Sequence, residues 1–119
     1  MRKVIVLGAS PNPARYSYVA VKMLKKWGYD VIPIGIKNGE IEGVIINTDL
    51  PEVNDIHTVS IFLSKAKQKQ YESYILSLQP ARIIFNPGAE NPNFQRRAKR
   101  KGIEIIKACT IEMISGRKF

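Results

Sequence analysis

The run Val4-Ile5-Val6-Leu7, closed by Gly8, constrains this chain more than any other stretch. Four consecutive apolar residues without polar alternation suit a strand covered on both faces, as in the middle of a parallel sheet. Parallel strands cannot be joined by tight hairpins, so a crossover, usually a helix, must follow each one. Gly8 permits a sharp turn, and Ala9-Ser10-Pro11-Asn12-Pro13-Ala14-Arg15 then leads toward a helix. A dinucleotide-binding turn would place its second and third glycines in this loop; here Ser10 and Pro13 stand in their places.

The rest of the chain repeats the alternation. Ala20, Met23, Leu24 and Trp27 recur at helical spacing with Lys22, Lys25 and Lys26 between them, and Gly28 supplies the stop, which predicts a core position for Trp27. Asp30 to Gly35 reads as a second strand, with Pro33 near its edge or end. Lys37 to Glu40 is turn-like, and Gly43 to Thr48 adds a short extended piece. Ile56 to Leu63 is the third strand, ended by Ser64. Lys65 to Leu78 is a helix that turns Tyr71, Tyr74, Ile75 and Leu78 inward and is closed by Pro80. Arg82 to Phe85 is a fourth strand and Asn86 to Asn93 a loop. A basic helix from Phe94 to Lys101 ends at Gly102, and Ile103 to Ile106 is a fifth strand. Cys109 to Ser115 forms a last helical turn or two. This pattern predicts one α/β domain over residues 1–119, a Rossmann-like doubly wound sheet of about five parallel strands in the order 3-2-1-4-5. Ligands of such sheets lie at the carboxyl ends of the strands, beside strand 1.

Composition narrows the chemistry. With 119 residues, 45% hydrophobic and 24% charged, the chain has the make-up of one globular domain. No apolar run approaches the roughly 18 to 20 residues that span a bilayer. Met1-Arg2-Lys3 leads into a strand rather than a signal peptide, so a cytoplasmic protein that does not enter membranes is expected. Cys109 and His57 are the only cysteine and the only histidine. No internal disulfide, thiolate metal site or serine-histidine triad can be assembled from them. His57 reads as a strand-entry residue and Cys109 as a small buried hydrophobe. The net charge of +9 favours anionic partners without choosing among nucleic acid, membrane and phosphorylated small molecules.

The choice must come from the first turn and its neighbours. A helix that starts after this turn aims free N–H groups and its positive dipole end back at the crevice, where a phosphate can bind. Pro11 and Pro13 remove two donors but stiffen the loop; Ser10 offers a hydroxyl and Arg15 a paired set of donors. The competing reading is an ordinary strand-to-helix connection with Asn12 or Ser17 as N-cap. At the end of strand 2, a nicotinamide or flavin site would carry an acid for the ribose hydroxyls. Asp30 has roughly the right spacing but stands at the opposite end of the strand, and the correct end carries Pro33, Ile34, Gly35 and Lys37. Lys37 suits a phosphorylated ribose, or it is a solvated loop lysine.

Taken together, "VLGASPNPARYS" at 6–17, "WGYDVIPI" at 27–34, "EIEG" at 40–43, "VSIFLS" at 59–64 and "NPGAEN" at 86–91 resemble the small CoA-binding domain proteins. These are related to the N-terminal CoA-binding domain of the succinyl-CoA synthetase alpha subunit. The resemblance implies that Gly8, Ala9, Ser10, Pro13 and Arg15 hold the CoA phosphates. It implies that Pro33, Ile34 and Lys37 line the adenosine side, with Phe62 and Ser64 at the third strand end and Pro87 and Gly88 in the fourth loop. Many relatives carry Asn-Pro where this chain has Gly35-Ile36, and the ligase's phosphorylated histidine belongs to a later domain with no counterpart here. The expected function is non-catalytic binding of coenzyme A or acyl-CoA, with no catalytic constellation and no metal; a homodimer or a partner enzyme is left open. The alternatives are a small NAD(P)-binding enzyme or redox sensor and, with less support, a nucleic-acid binder using the basic helix 96–101.

Overall fold

A computed structural model describes residues 2–119; Met1, on which part of the N-terminal reading and the first position of the 1–119 domain rest, lies outside the described residues. Strand β1 (Lys3–Leu7) sits between β2 (Asp30–Ile34) and β5 (Ile56–Ile61), and β6 (Arg82–Phe85) and β7 (Glu104–Lys107) extend the sheet beyond β5. All four pairings are parallel. A small antiparallel hairpin, β3 (Glu40–Ile41) with β4 (Val44–Ile45), follows β2.

The order 3-2-1-4-5 is present, with the short extended piece in third place. Asn47 forms a parallel bridge to Ile34, its N–H bonding the Pro33 carbonyl at 2.9 Å and its carbonyl accepting from Gly35 N at 3.0 Å. The strand at 56–61, read from sequence as the third, is therefore the fourth from the chain's start in this order, and β7 adds one more place at the far edge.

Both faces of β1 are covered, as its unbroken apolar run requires. Ile5 and Leu7 join one core with Val59, Ile61, Ile83 and Phe85 of the sheet, under α3 (Glu72–Leu78) and α4 (Pro92–Arg100). Val4 and Val6 face the other core, with Val21 and Leu24 of α1 (Tyr16–Lys26) and Ile114 of α5 (Thr110–Ser115). Alternate side chains of a strand point to opposite faces, so one short run feeds two cores. Among the described residues no helix is long and apolar enough to cross a membrane.

Two helical readings need correction. Trp27 is 55% exposed rather than in the core. It is the C-cap of α1, with φ −84° and ψ 4°, so the helical spacing that aligned it with Ala20 ends one residue too soon. The buried stripe is Ser17, Ala20, Val21 and Leu24, and Trp27 meets the Arg117 guanidinium instead. The helix expected at 65–78 is broken into α2 (Lys65–Gln68), a 3-10 turn (Lys69–Tyr71) and α3. In a 3-10 turn side chains three apart eclipse one another, which carries both Gln68 and Tyr71 inward.

Candidate functional site

A cleft of about 560 Å³ opens at the carboxyl ends of the strands, between β1 and β5, where the crossovers leave in opposite directions. Gly8, Ala9, Ser10, Arg15, Tyr16 and Ser17 form its first wall. Gly35, Ile36 and Lys37 come from the end of β2, and Phe62, Leu63 and Ser64 from the end of β5. Lys67, Gln70 and Tyr71 follow on the next helical segment, with Pro87 after β6.

The first turn is held by its own backbone. Gly8 takes φ +92°, and a Cβ there would stand 3.0 Å from Leu63 Cδ2. The N–H groups of Gly8 and Ala9 both donate to the Ile34 carbonyl at 2.9 Å, which removes them from the donors open to a ligand. The Ala9 carbonyl then crosses so close to Gly35 that a Cβ on Gly35 would lie 2.1 Å from it. Gly35, which in sequence was only a departure from the relatives' Asn-Pro, is thus what lets the two strand ends meet.

Ser10 Oγ accepts from Asn12 N at 3.1 Å, and Asn12 Oδ1 accepts from Ala14 N at 3.0 Å. Asn12 therefore braces the loop rather than capping the helix. The N-cap is Arg15, whose side chain makes no capping bond and whose carbonyl accepts from Tyr18 N and Val19 N. Neither Asn12 nor Ser17 fills that role. The N–H groups of Tyr16 and Ser17, the first two of α1, meet no acceptor among the described residues. Such an end carries partial positive charge and attracts anions.

Of the twelve site residues read from the sequence, the cleft brings together Gly8, Ala9, Ser10, Arg15, Lys37, Phe62, Ser64 and Pro87. Pro13, Pro33, Ile34 and Gly88 do not line it. Pro13 is exposed in the loop. Pro33 and Ile34 are buried in β2, where their carbonyls accept from Asn47 and from Gly8 and Ala9. The Gly88 N–H donates to the Glu90 carboxylate at 3.0 and 3.2 Å.

The "NPGAEN" loop supports the cleft through its asparagines. Asn86 Nδ2 donates to Ser60 Oγ at 3.1 Å and Ile61 O at 2.9 Å, while its Oδ1 accepts from Thr110 N at 2.7 Å. Asn91 caps α4 by accepting from Phe94 N, and its Nδ2 donates to Gln68 Oε1 at 2.9 Å. Gln68, fully buried, donates in turn to Leu63 O at 2.8 Å and Ala89 O at 2.7 Å. Buried amides satisfied on all sides fix the two loops against each other.

Three cations, Arg15, Lys37 and Lys67, line the cleft, and among its described lining residues there is no Asp, Glu, His or Cys. The unsatisfied N–H end and the three cations together have the charge that suits an anion with more than one charged group. Sequence reasoning missed Lys67; the usable signal was its place three residues after Ser64, in the first turn following a strand end. It also missed Tyr16 and Ile36, which stay 76% and 79% exposed at the cleft border. Cys109 lies outside the lining and is half-buried at the N-cap of α5, not fully buried.

The family model described as CoA binding domain matches residues 2–114. A crystal structure described only as that of an uncharacterized protein is 39% identical, covers 100% of this chain and 98% of its own, and superposes with a TM-score of 0.96. A hypothetical protein from Pyrococcus horikoshii is 24% identical over 98% of this chain and 82% of its own, with a TM-score of 0.86. The fold recurs in a dinucleotide-forming acetyl-coenzyme A synthetase of Ca. Korarchaeum cryptofilum, solved with phosphate and ADP. That protein is 17% identical over 89% of this chain and 25% of its own, with a TM-score of 0.72. No curated protein matches the chain.

Proposed function

Since the chain belongs to the CoA binding domain family, we propose that its cleft binds coenzyme A or an acyl-CoA without catalysing a reaction on it. The observation that carries this reading is the meeting of the free N–H end of α1 with Arg15, Lys37 and Lys67 in a cleft without carboxylates. The diphosphate is held at the β1–α1 turn by Tyr16 N, Ser17 N, the Ser10 hydroxyl and Arg15. Lys37, at the end of β2, faces the ribose phosphate. Lys67 adds charge from the opposite wall. Pro33 and Ile34 support the strand ends from behind, through carbonyls that accept from Asn47 and from Gly8 and Ala9.

Residues 34–37 at the end of β2 offer no carboxylate for ribose hydroxyls, which disfavours a nicotinamide dinucleotide. In the basic helix α4, Arg97 is committed to Glu72 and lies over the Phe94 ring, which leaves fewer of its charges for nucleic acid.

Thermal unfolding with CoA, dephospho-CoA, NAD, NADP and a short DNA duplex, at two salt concentrations, ranks these ligands by mass-action stabilisation. CoA should raise the midpoint most, dephospho-CoA less, and NAD not at all. A shift with NAD and none with CoA would overturn the reading.

A further inference from the structure

The cleft has two chemically different halves. Arg15 and Lys37 stand toward β1 and β2, whereas the wall toward α2 carries the apolar surface of Phe62, Leu63, Tyr71 and Pro87 beside the polar Ser64, Lys67 and Gln70. Within that second half Tyr71 is only 8% exposed and packs in the same core as Ile75 and Phe85. Its hydroxyl nevertheless makes no hydrogen bond among the described residues. The one side-chain polar atom there that is both sealed from solvent and without a partner is Arg97 Nε, so the Tyr71 hydroxyl keeps an opening. The cleft is the opening that Tyr71 borders.

A tyrosine with a buried ring ordinarily finds a partner for its O–H. Tyr74, three residues on, bonds the Pro51 carbonyl at 2.6 Å. Tyr71 is held in place just as firmly, since the 3-10 turn sets it beside Gln68, whose amide is fixed by Leu63, Ala89 and Asn91. The result is a firmly held ring among apolar side chains, with its hydroxyl free for a partner in the cleft.

We infer that Tyr71 is a specificity-determining residue for the uncharged, amide-bearing arm of the ligand. Its hydroxyl donates to an amide carbonyl of the pantetheine arm while Phe62, Leu63 and Pro87 cover the arm's apolar carbons. This inference rests on the proposed CoA site and adds to it a means of telling CoA from the bare nucleotide: the cations hold the phosphates, and Tyr71 reads the arm.

Titrating the wild type and Tyr71→Phe with CoA and with adenosine 3′,5′-bisphosphate, which lacks the arm, tests this directly. Phenylalanine keeps the ring in the core and deletes only the hydroxyl, so the fold is retained. CoA affinity should fall about three- to tenfold, the loss of one hydrogen bond, with bisphosphate affinity unchanged. If both ligands bind the wild type and the variant weakens neither, or weakens both equally, the role of Tyr71 is refuted while the CoA site stands. If neither ligand binds the wild type, the site reading fails and takes this inference with it.

Discussion

The two ends of the sheet treat their cations in opposite ways. At the amino end Arg82 is 8% exposed, and its Nε donates to Thr58 Oγ1 at 2.8 Å. A second guanidinium nitrogen donates to the Phe119 carbonyl oxygen at 3.2 Å, and the Phe119 ring lies 4.6 Å from the charge. At the carboxyl end Arg15, Lys37 and Lys67 are exposed around the cleft, and the N–H groups of Tyr16 and Ser17 beside them meet no acceptor among the described residues. A buried charge must be satisfied by its own protein, or the fold loses stability. Exposed cations with free donors around a concavity suit a partner from outside. One end is built for stability and the other for binding, and substitutions should separate them.

Gly35→Ala should have the largest effect, because it strikes where the fold and the cleft share one contact. The new Cβ would lie 2.1 Å from the Ala9 carbonyl oxygen, and backbone cannot yield as a side-chain tip can. A loss of about 3 kcal/mol in denaturant unfolding is expected, together with weakened CoA binding in the protein that remains folded. An alanine variant of wild-type stability would show that the two strand ends do not need this approach.

Arg82→Ala comes next and should act on stability alone. Removing a buried guanidinium bonded to Thr58 and Phe119 should cost roughly 2 to 3 kcal/mol. CoA affinity, measured where the variant is folded, should be unchanged; a parallel loss of affinity would mean that the two ends are coupled through β5 and β6.

The smallest effect is the pH dependence of the amino end. His57 Nδ1 lies 2.7 Å from Thr58 Oγ1, which also accepts from Arg82. The Thr58 hydroxyl proton is thus left for His57, which receives it only when Nδ1 is unprotonated. Partial burial, then Arg2 and Arg82 nearby, hold the His57 pKa below its ordinary value of 6.5. A base with a lowered folded pKa contributes fully above its unfolded value. That contribution is lost as pH falls from 6.5 toward the folded pKa and levels off below it. Stability between pH 7.5 and 5.5 should therefore fall slightly more in the wild type than in His57→Gln. Equal slopes would remove His57 from the account.

What the sequence made legible follows from how each feature is encoded. The both-faces burial of β1 is written in one unbroken apolar run, and the alternation of strand and helix in repeated short patterns. Trp27 was misplaced because apolar spacing does not reveal where a helix stops, and the break at Lys69–Tyr71 went unread because the partners that hold Gln68 inward beside it, Ala89 and Asn91, are distant in sequence. In the cleft, the residues nearest the glycine turn could be read locally. Tyr16, Ile36 and Lys67 lay beside residues that were read and were passed over, whereas Tyr71 joins the site only once separate strand ends stand side by side. Pro33 and Ile34 were read as contacts because they flank the site in sequence, whereas the strand buries them behind it.

The central claim, that the carboxyl end holds the phosphates of CoA, is tested most directly by calorimetric titration of CoA into the wild type and Arg15→Ala, with unfolding measured on both. Arg15 is exposed and its side chain makes no capping bond, so the variant should keep wild-type stability. It should lose roughly 1.5 to 3 kcal/mol of CoA binding, the worth of a charge-assisted hydrogen bond. Equal affinity in the two proteins, or no CoA binding by the wild type, would contradict the account.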